Sequence, residues 1–483
     1  MRVGVIGAGP AGLTAALELQ RGGASVDVFE ASGCVGGLSR SLELWGQRVD
    51  IGPHRFFSTD ERINRFWLDI VGDHYQMVNR LTRVYFRGQL IDYPIRPLSA
   101  MRKLGWLDAT SCLTSYLKEK LKPSRIEGEG SFESWVTSRF GKRLFEMFFQ
   151  SYSEKLWGIP CDQLSDDFAA QRIKNFSLGE AIASAVLPGR QKRHKTLVDQ
   201  FAYPVGGTGA VYASMANQLQ DLGGRIHLKS PVTKVVRDTC RVTGVQIDGG
   251  ETIALDHVVS TMPLSLLVGA LDAPDNPVPT AVQNAIESLR FRNTLLIYLH
   301  IDSDQVFDDQ WVYIQSPDVS AGRVTNFRNW IPDLYGDQQT TVLAVERWCD
   351  SADPEWTADE NDLIEHCSKE LREIGLLESQ KVLDGHVLRI ARSYPIYEKG
   401  YQKHIDSVAD YLSKIQGISP IGRNGAFKYN NQDHSILMGL LVAQNILHSA
   451  NHDLWHVNSD SESYHERTII TETGLVHSDT ATQ

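Results

Sequence analysis

The sequence predicts an α/β fold in which one parallel-sheet domain is assembled from three separate stretches of the chain. A short β-branched strand at the N terminus runs through a glycine-rich turn into an Ala- and Leu-rich helix. A similar turn, helix and strand recurs within residues 200–265, and a strand, turn and helix lie near residues 417–447. Between these stretches, one region has the three- and four-residue apolar spacing of helices and another has the β-rich runs of a sheet.

These patterns divide the chain into four parts. We expect a discontinuous sheet domain at 1–74, 200–265 and 401–450, a mainly helical insertion at 75–199, a β-sheet domain with helices at 266–400, and a polar tail at 451–483. A chain of 483 residues is too long for one ordinary domain, which agrees with this division. The tail is polar, and we predict that it is frayed.

Composition excludes several classes of protein. The formal charge of −11 argues against a general binder of nucleic acid or acidic membranes, because such proteins carry basic faces. The six cysteines are scattered, without a C-x-x-C pair or histidines at metal spacing, which predicts free thiols in a reducing compartment and no metal site. No signal peptide precedes the first strand, and the most apolar run, residues 436–447, is too short to span a bilayer. We therefore predict a cytoplasmic protein.

The N-terminal motif predicts a dinucleotide site. Gly7, Gly9 and Gly12 follow the first strand in a G-x-G-x-x-G pattern, and Glu30 ends the second strand. Such glycines allow a tight turn and close approach of a pyrophosphate to the helix N terminus, and the acid at this distance takes a ribose hydroxyl. Strand, glycines, helix, strand and acid in register are far more specific than the glycines alone.

The residues after Glu30 favour FAD over NAD. In "EASGCVGGLSRS", Gly37 and Arg40 belong to a second glycine-rich turn that resembles the FAD proteins of the glutathione reductase and amine oxidase type. The later stretch from 203 to 236 repeats the pattern of those proteins and places Val232 on a strand under the adenine; plain strand packing of Val232 is the alternative. The resemblance implies a Rossmann-type, discontinuous FAD domain, with FAD as the cofactor.

The stretch "YSEKLWG" resembles the Y-T-E-K-x-W-G motif of the UDP-galactopyranose mutase family, within the wider flavin amine oxidase and protoporphyrinogen oxidase-like group. Four further motifs resemble that family in the same order: "GPHRFFS" with His54, "GRVTNFRNW" with Arg323, "SYPIY" with Tyr394, and "GRNGAFKYNNQD" with Arg423, Tyr429 and Asp433. Arg172 aligns with an arginine of the family after the first motif. Phe57 and Asn431 depart from the family pattern.

The resemblance implies a mutase that interconverts pyranose and furanose forms of a nucleotide-diphosphate sugar. In the family, reduced flavin N5 attacks the anomeric carbon, and the reaction has no net redox change; NAD(P)H is a candidate external reductant. The resemblance implies roles for the matched residues: a diphosphate clamp by Arg172 and Arg323, a flavin-side role for His54, cofactor contacts from Arg423 and Asp433, and substrate contacts from Tyr152, Trp157, Tyr394, Tyr429, Arg328 and Asn431.

Some of these residues also have a purely structural explanation. Trp157 taken alone fits a helical core, and Arg172 beside Asp166 and Asp167 fits a surface ion pair. At the level of function, one alternative is an FAD-dependent oxidase or desaturase of the amine oxidase or protoporphyrinogen oxidase type, which would need an apolar substrate tunnel. Another is a flavoprotein retained as a partner-binding subunit. The sugar, the base and the oligomeric state, including a homo-oligomer, stay open.

Overall fold

A computed structural model describes residues 1–93, 105–122, 130–168, 200–273, 275–457 and 468–477. The strands are β1 Arg2–Ile6, β2 Ser25–Phe29, β3 Ser41–Leu44, β4 Gln47–Asp50, β5 Tyr75–Asn79, β6 Thr82–Phe86, β7 Gln89–Asp92, β8 Gln200–Pro204, β9 Arg225–His227, β10 Val232–Arg237, β11 Val242–Ile247, β12 Ile253–Ala254, β13 His257–Ser260, β14 Phe291–Ile301, β15 Trp311–Ile314, β16 Arg323–Asn326, β17 Thr341–Cys349, β18 Val382–Pro395, β19 Ile418–Pro420, β20 Thr468–Thr471 and β21 Gly474–His477. The α-helices are α1 Pro10–Arg21, α2 Glu61–Val71, α3 Trp106–Lys120, α4 Phe132–Phe140, α5 Lys142–Phe145, α6 Ser151–Trp157, α7 Thr208–Asp221, α8 Leu264–Leu271, α9 Thr280–Ser288, α10 Pro354–Thr357, α11 Glu360–Glu373, α12 Tyr401–Ser413, α13 Gly422–Gly425 and α14 Gln432–His448. A π-helical turn at Glu146–Gln150 leads into α6, and 3₁₀ turns lie at Gly37–Ser39, Phe327–Asn329 and Pro332–Leu334.

The predicted α/β fold is confirmed by a five-stranded parallel sheet. Its order is β19-β13-β1-β2-β9, so strands from all three predicted stretches of the chain lie side by side. Helices α1 and α14 pack together, and they approach closely because Gly439 faces α1: a Cβ there would lie 2.8 Å from the Ala11 carbonyl oxygen. Buried valines of β1 and β2 fill the core beneath them.

The third stretch begins later than the sequence suggested. Helix α12, at the start of the predicted 401–450 piece, packs against α9 of the middle region rather than on the parallel sheet. Only from β19 onward does the chain return to that sheet.

A seven-stranded sheet forms the second layer, in the order β18-β14-β17-β16-β15-β6-β7. Strands β14 to β18 come from the predicted β-sheet domain, as expected. Strands β6 and β7, however, come from residues 82–92, and β5 pairs with β8, so the start of the predicted helical insertion is β structure. The reason is local: "TRVYFRGQLID" alternates side chains around a Gly88 hairpin turn, which suits strands better than helices. Helical structure follows in 105–122 and 130–157.

The predicted frayed tail is wrong at residues 468–477. Residues 468–477 form the β20–β21 hairpin, and Thr468 is fully buried. The Asn64 Nδ2 atom donates to the Thr468 hydroxyl at 2.9 Å, and the Tyr75 hydroxyl donates to the Thr471 carbonyl at 2.6 Å. Polar composition concealed a short β-branched pair, Ile469 and Ile470, of which Ile470 packs on the core of the parallel-sheet domain.

The two sheets meet at the loop after β4. The buried Asp50 carboxylate accepts hydrogen bonds from the Tyr203 hydroxyl and the Thr208 N–H, and the Asp50 carbonyl accepts one from Tyr298 of β14. These bonds fix the loop that carries His54 between the two layers. None of the helices in the described ranges combines the length and apolar character needed to cross a membrane.

Candidate active site

The glycine motif forms a tight strand-to-helix turn at the carboxyl end of β1. Gly7 has φ +97°, a left-handed conformation that favours glycine, and Gly9 is the N-cap of α1. A Cβ on Gly12 would lie 2.0 Å from the Gly7 carbonyl oxygen, so only glycine lets α1 pack this closely on the turn. The helix N terminus therefore opens at the edge of the parallel sheet, where anionic groups bind.

The second glycine turn lies against the first. Gly37 has φ +54°, and a Cβ there would lie 3.0 Å from the Gly9 Cα atom. The Gly36 N–H donates to the Ala8 carbonyl at 2.8 Å, and the Arg40 Nη1 atom is 3.5 Å from the Gly37 carbonyl. The backbones of Gly9 and Gly37 face each other with no side chain between them. We call these two facing turns the cradle, because a dinucleotide requires close approach to the backbone.

Glu30 closes the base of this cradle. Its carboxylate accepts hydrogen bonds from the Ala8 N–H at 2.7 Å and the Ser32 N–H at 2.9 Å. The turn leading to β10 is bonded to the same segment, since the Ser230 N–H donates to the Glu30 carbonyl at 2.8 Å. Val232 follows at the start of β10 and is 7% exposed, so its side chain packs in the core, and its place under the adenine stays a prediction.

His54 marks the other end of the site. The Thr208 hydroxyl donates to its carbonyl at 2.9 Å, whereas its Nδ1 atom is buried without a hydrogen-bond partner among the described residues. Burial, together with the nearby charges of Arg323 and Arg423, lowers the pKa of His54 to about 3. The ring is therefore neutral at physiological pH and has a free nitrogen for a bound group.

Next to His54 lies a group that we call the tyrosine–arginine cluster, whose members are Tyr152, Tyr313, Tyr394, Tyr429, Arg323 and Arg423. The rings of Tyr394 and Tyr429 stack with centroids 5.5 Å apart, and the Arg423 guanidinium lies 4.4 and 4.6 Å from their centroids. The Arg423 Nε atom also donates to the Ser393 carbonyl at 2.8 Å. Arg423 sits on α13, which approaches the end of β13 closely because Gly425 has no Cβ. Candidate residues from distant motifs of the sequence thus lie side by side.

Tyr152 and Tyr313 form the opposite side of the cluster. Their rings meet edge to face at 5.7 Å, and Tyr152 also contacts Trp348 at 5.6 Å. Burial raises the pKa of Tyr152 well above its ordinary value, and burial with the Tyr429 hydroxyl nearby raises the pKa of Tyr394 to about 12. Both hydroxyls therefore stay protonated at neutral pH and can donate hydrogen bonds.

Arg323 is predicted to clamp a diphosphate, but in the structure its charge is already balanced by Glu346. Its Nε and Nη2 atoms donate to the two carboxylate oxygens of Glu346 at 2.7 and 2.6 Å. Burial opposes the charge of Arg323, but Glu346 and Tyr394 outweigh it and raise the pKa of Arg323 well above its usual value. A Cβ on Gly52 would lie 3.3 Å from Glu346 Oε1, so the His54 loop packs directly on this ion pair.

Two other predicted substrate contacts are not placed for that role. Trp157 is fully buried beneath the cluster, with its ring 5.7 Å from Tyr429, so it supports the site from the core and offers no face to a ligand. Arg328 points elsewhere: its Nη1 atom donates to the Gln338 and Thr340 carbonyls, and its guanidinium lies 4.1 Å from the centre of the Tyr335 ring. Strand β16 ends between Arg323 and Arg328, which sends the two side chains to different places.

The start of α14 contributes the last predicted residues. Asn431 is the exposed N-cap of this helix, and Asp433 lies in its first turn. The Asp433 Oδ1 and His434 Nδ1 atoms are 3.0 Å apart, and both are buried without a hydrogen-bond partner among the described residues. An acidic first turn with unmatched polar atoms fits a site for hydrogen-bond donors of a ligand.

Arg172 falls within 169–199, outside the described residues, and its role stays a prediction. In the described ranges, no group of three or more His, Cys, Asp or Glu side chains is arranged to hold a metal ion. All six cysteines are free thiols.

Sequence reasoning missed Tyr313 and Glu346. The sequence could have indicated Glu346, because "TVLAVERWC" places an acid inside a largely apolar strand, and a buried acid needs a partner. Nothing in the sequence indicates Tyr313, because it lies in an ordinary β pattern.

Comparisons with known proteins agree with this geometry at the level of family and fold. The family described as "Flavin containing amine oxidoreductase" matches residues 10–402. The chain is 26% identical over 324 residues to a hydroxyneurosporene desaturase of Cereibacter sphaeroides, covering 58% of this chain and 60% of that protein. It is 26% identical over 171 residues to a protein of Klebsiella pneumoniae named "Probable UDP-galactopyranose mutase", covering 33% of this chain and 42% of that protein.

Among solved structures, reduced UDP-galactopyranose mutase is similar over 95% of this chain and 96% of the other, with a TM-score of 0.82 and 22% identity. That likeness concerns the fold. The facing glycine turns, the helix N terminus and the free nitrogen of His54 fit a flavin dinucleotide. The chain therefore belongs to the flavin-containing amine oxidoreductase family, and its cofactor is FAD.

Proposed function

We propose that this protein is a flavin-dependent mutase that interconverts the pyranose and furanose forms of a nucleotide-diphosphate sugar. The observation that carries the proposal is the tyrosine–arginine cluster beside His54. The protonated hydroxyls of Tyr152 and Tyr394 and the guanidinium groups suit a ligand rich in hydroxyls, and the stacked Tyr394–Tyr429 pair suits the apolar face of a sugar ring. An apolar substrate would make no use of these polar groups, whereas a sugar can hydrogen-bond to their hydroxyl and N–H groups.

The reaction balances within the substrate. The bond from the anomeric carbon to the diphosphate breaks and re-forms, and the ring oxygen is exchanged between two hydroxyl positions, so no atom or electron is gained or lost. Reduced FAD, when bound, supplies electron density to the anomeric carbon. The tyrosines would hold the sugar hydroxyls through this exchange, and burial between the two sheets would keep water out.

The protein residues would divide the remaining work. Arg423 is held over two rings by the Ser393 and Asn430 carbonyls, which fixes its position before any ligand arrives. The Arg323–Glu346 pair would present N–H groups without net charge, which suits sugar hydroxyls better than a diphosphate. Charge for the diphosphate would then come from Arg423 and from Arg172, whose role is predicted from sequence.

A second function, a desaturase or other oxidoreductase, is favoured by the curated relatives. Carotenoid desaturases match this chain over a longer stretch than the mutase relative does. The chain spans about 60% of the first of these relatives and about half of the next two, so their activities are hypotheses for this protein.

The test is a turnover assay on the FAD-loaded protein, either oxidised or reduced with dithionite without oxygen, with NADPH as a second reductant. UDP-, dTDP- and GDP-hexoses are offered, and ring-size isomers are separated by chromatography. We expect conversion only with reduced flavin and without net consumption of reductant. We expect Tyr394→Phe to lower kcat about tenfold or more. Tyr335→Phe, a matched change beside Arg328, should leave it unchanged.

Two results would contradict the proposal. The first is no conversion of any donor together with flavin reduction by phytoene or another carotenoid, which would establish an oxidoreductase. The second is nucleotide-sugar binding that survives Arg172→Ala and Arg423→Ala together while FAD stays bound, because the diphosphate would then lack its proposed cations.

A further inference from the structure

The motif helix α6 carries a lysine whose position the site chemistry does not explain. The Lys155 ammonium lies within hydrogen-bond distance of four carbonyl oxygens, those of Ile314, Ser316, Val319 and Ala321, at 3.1, 3.0, 2.8 and 3.2 Å. An ammonium has three N–H groups, so four carbonyls saturate it. We call this arrangement the carbonyl nest.

The carbonyl nest belongs to the connection between two strands of the site. Residues 315–322 join β15, which carries Tyr313, to β16, which begins with Arg323. Tyr313 and Arg323 are direct partners in the β15–β16 register. A displacement of this connection would therefore move a ring and a guanidinium of the tyrosine–arginine cluster together.

A second charged group holds the same connection from the other side. The Glu370 carboxylate on α11 accepts the Ser320 N–H at 2.6 Å and the Arg347 Nη2 group at 3.0 Å. Gly322, at the end of the connection, packs directly on the Trp348 ring, since a Cβ there would lie 1.9 Å from that ring. The connection is fixed by an ammonium on its carbonyls and a carboxylate on an N–H, rather than by apolar packing alone.

Lys155 remains in this place although burial disfavours its charge. Burial lowers the pKa of Lys155 to about 8, against the opposing effects of Glu370 and Asp318. A lysine used only to pack its aliphatic stem would direct its ammonium to solvent, as lysines usually do. Here the ammonium turns inward to backbone carbonyls.

We infer that Lys155 is a positioning residue, whose ammonium holds the connection 315–322 and thereby sets Tyr313 and Arg323 in the active site. This inference goes beyond the proposed function, because the cluster needs the same placement for any substrate. It also accounts for the lysine in the middle of "YSEKLWG", between a ring that faces the site and a ring that lies in the core.

The experiment measures amide hydrogen exchange across residues 313–323 in the FAD-loaded protein. Lys155→Ala is compared with Lys142→Ala, a matched change at an exposed lysine of α5. We expect exchange in this segment to become at least about tenfold faster in K155A alone. Ethylammonium at high concentration should restore slow exchange, because its N–H groups can enter the emptied nest, whereas tetramethylammonium has none and should not.

The second readout is the conversion rate from the turnover assay, which should fall in K155A at unchanged FAD content and return with ethylammonium. Exchange that is no faster in K155A than in K142A, or that responds equally to the two salts, overturns the inference. If K155A does not fold, Lys155→Met fills the same space without an ammonium, and local exchange is compared again. If the wild-type protein converts no nucleotide sugar, the proposed function fails, and exchange alone decides the inference.

Discussion

The Arg323–Glu346 pair gives the sharpest test of how the site is held together. The substitution Glu346→Gln keeps the shape of the side chain but removes the charge opposite a guanidinium. Both side chains are largely buried, at 17% exposure for Arg323 and 3% for Glu346. Removing one partner of a buried pair costs about 3–5 kcal/mol, because the remaining charge is left in a medium that solvates it poorly.

That free energy converts into a melting temperature. Unfolding entropy is about 2.1 cal/mol/K per residue, so a chain of 483 residues has about 1 kcal/mol/K in total. A loss of about 3–5 kcal/mol therefore lowers Tm by about 3–5 °C.

The assay is thermal unfolding of the FAD-loaded protein, followed by tryptophan fluorescence, with flavin content measured beforehand. The matched control is Glu360→Gln, which breaks the ion pair with Arg389 at 2.9 Å where Glu360 is 52% exposed. Exposed pairs contribute about 0–1 kcal/mol, so this variant should melt within about 1 °C of the wild type. Equal shifts in the two variants would refute the reasoning, since burial would then make no difference.

Two further predictions concern the cofactor end and acid stability. Gly37→Ala should weaken FAD binding about tenfold, because a residue with a Cβ in the left-handed conformation costs about 1–2 kcal/mol and the Cβ would crowd Gly9. The flavin-to-protein absorbance ratio after dialysis measures this loss. Gly23→Ala, at a left-handed glycine with open space around it, should retain FAD. The pKa of His54 in the folded protein, about 3, lies below its unfolded value. The folded protein therefore has its full stability above pH 6.5, and its free energy of unfolding falls by up to about 5 kcal/mol as pH falls towards 3. In urea titrations at several pH values, His54→Gln should flatten this acid limb and exposed His448→Gln should not; parallel limbs in all three proteins would contradict the assignment.

The FAD end of the molecule was predictable because its constraints are local. Gly7, Gly12 and Gly37 are needed for backbone conformations and contacts within a few residues of their own positions or across one βαβ unit. A sequence pattern records such needs directly. The same applies to the parallel sheet, whose β-branched strands and glycine turns are repeated along the chain.

The substrate side was predictable only through its resemblance to a family. Tyr394 and Tyr429 come together because β18 ends beside the turn after α13, which no spacing in the sequence shows. Arg323 meets Glu346 because the β16–β17 register pairs them, and register is a property of the whole sheet. The prediction of a frayed tail was wrong for a related reason: Thr468 is buried by its contact with Asn64, a residue 404 positions away.

The charges of the cluster bear directly on which substrates it can take. The charge of Arg323 is balanced by Glu346, so Arg423 supplies the remaining positive charge of the cluster. A diphosphate brings about two negative charges and needs fixed guanidinium groups beyond that balance. A hydrocarbon carotenoid brings no charge and offers no hydrogen-bonding group to the tyrosines and arginines of the cluster. Under the proposed function, the described cluster would hold the sugar part of the substrate, and the diphosphate would require further cations, of which Arg172 is the one that the sequence predicts.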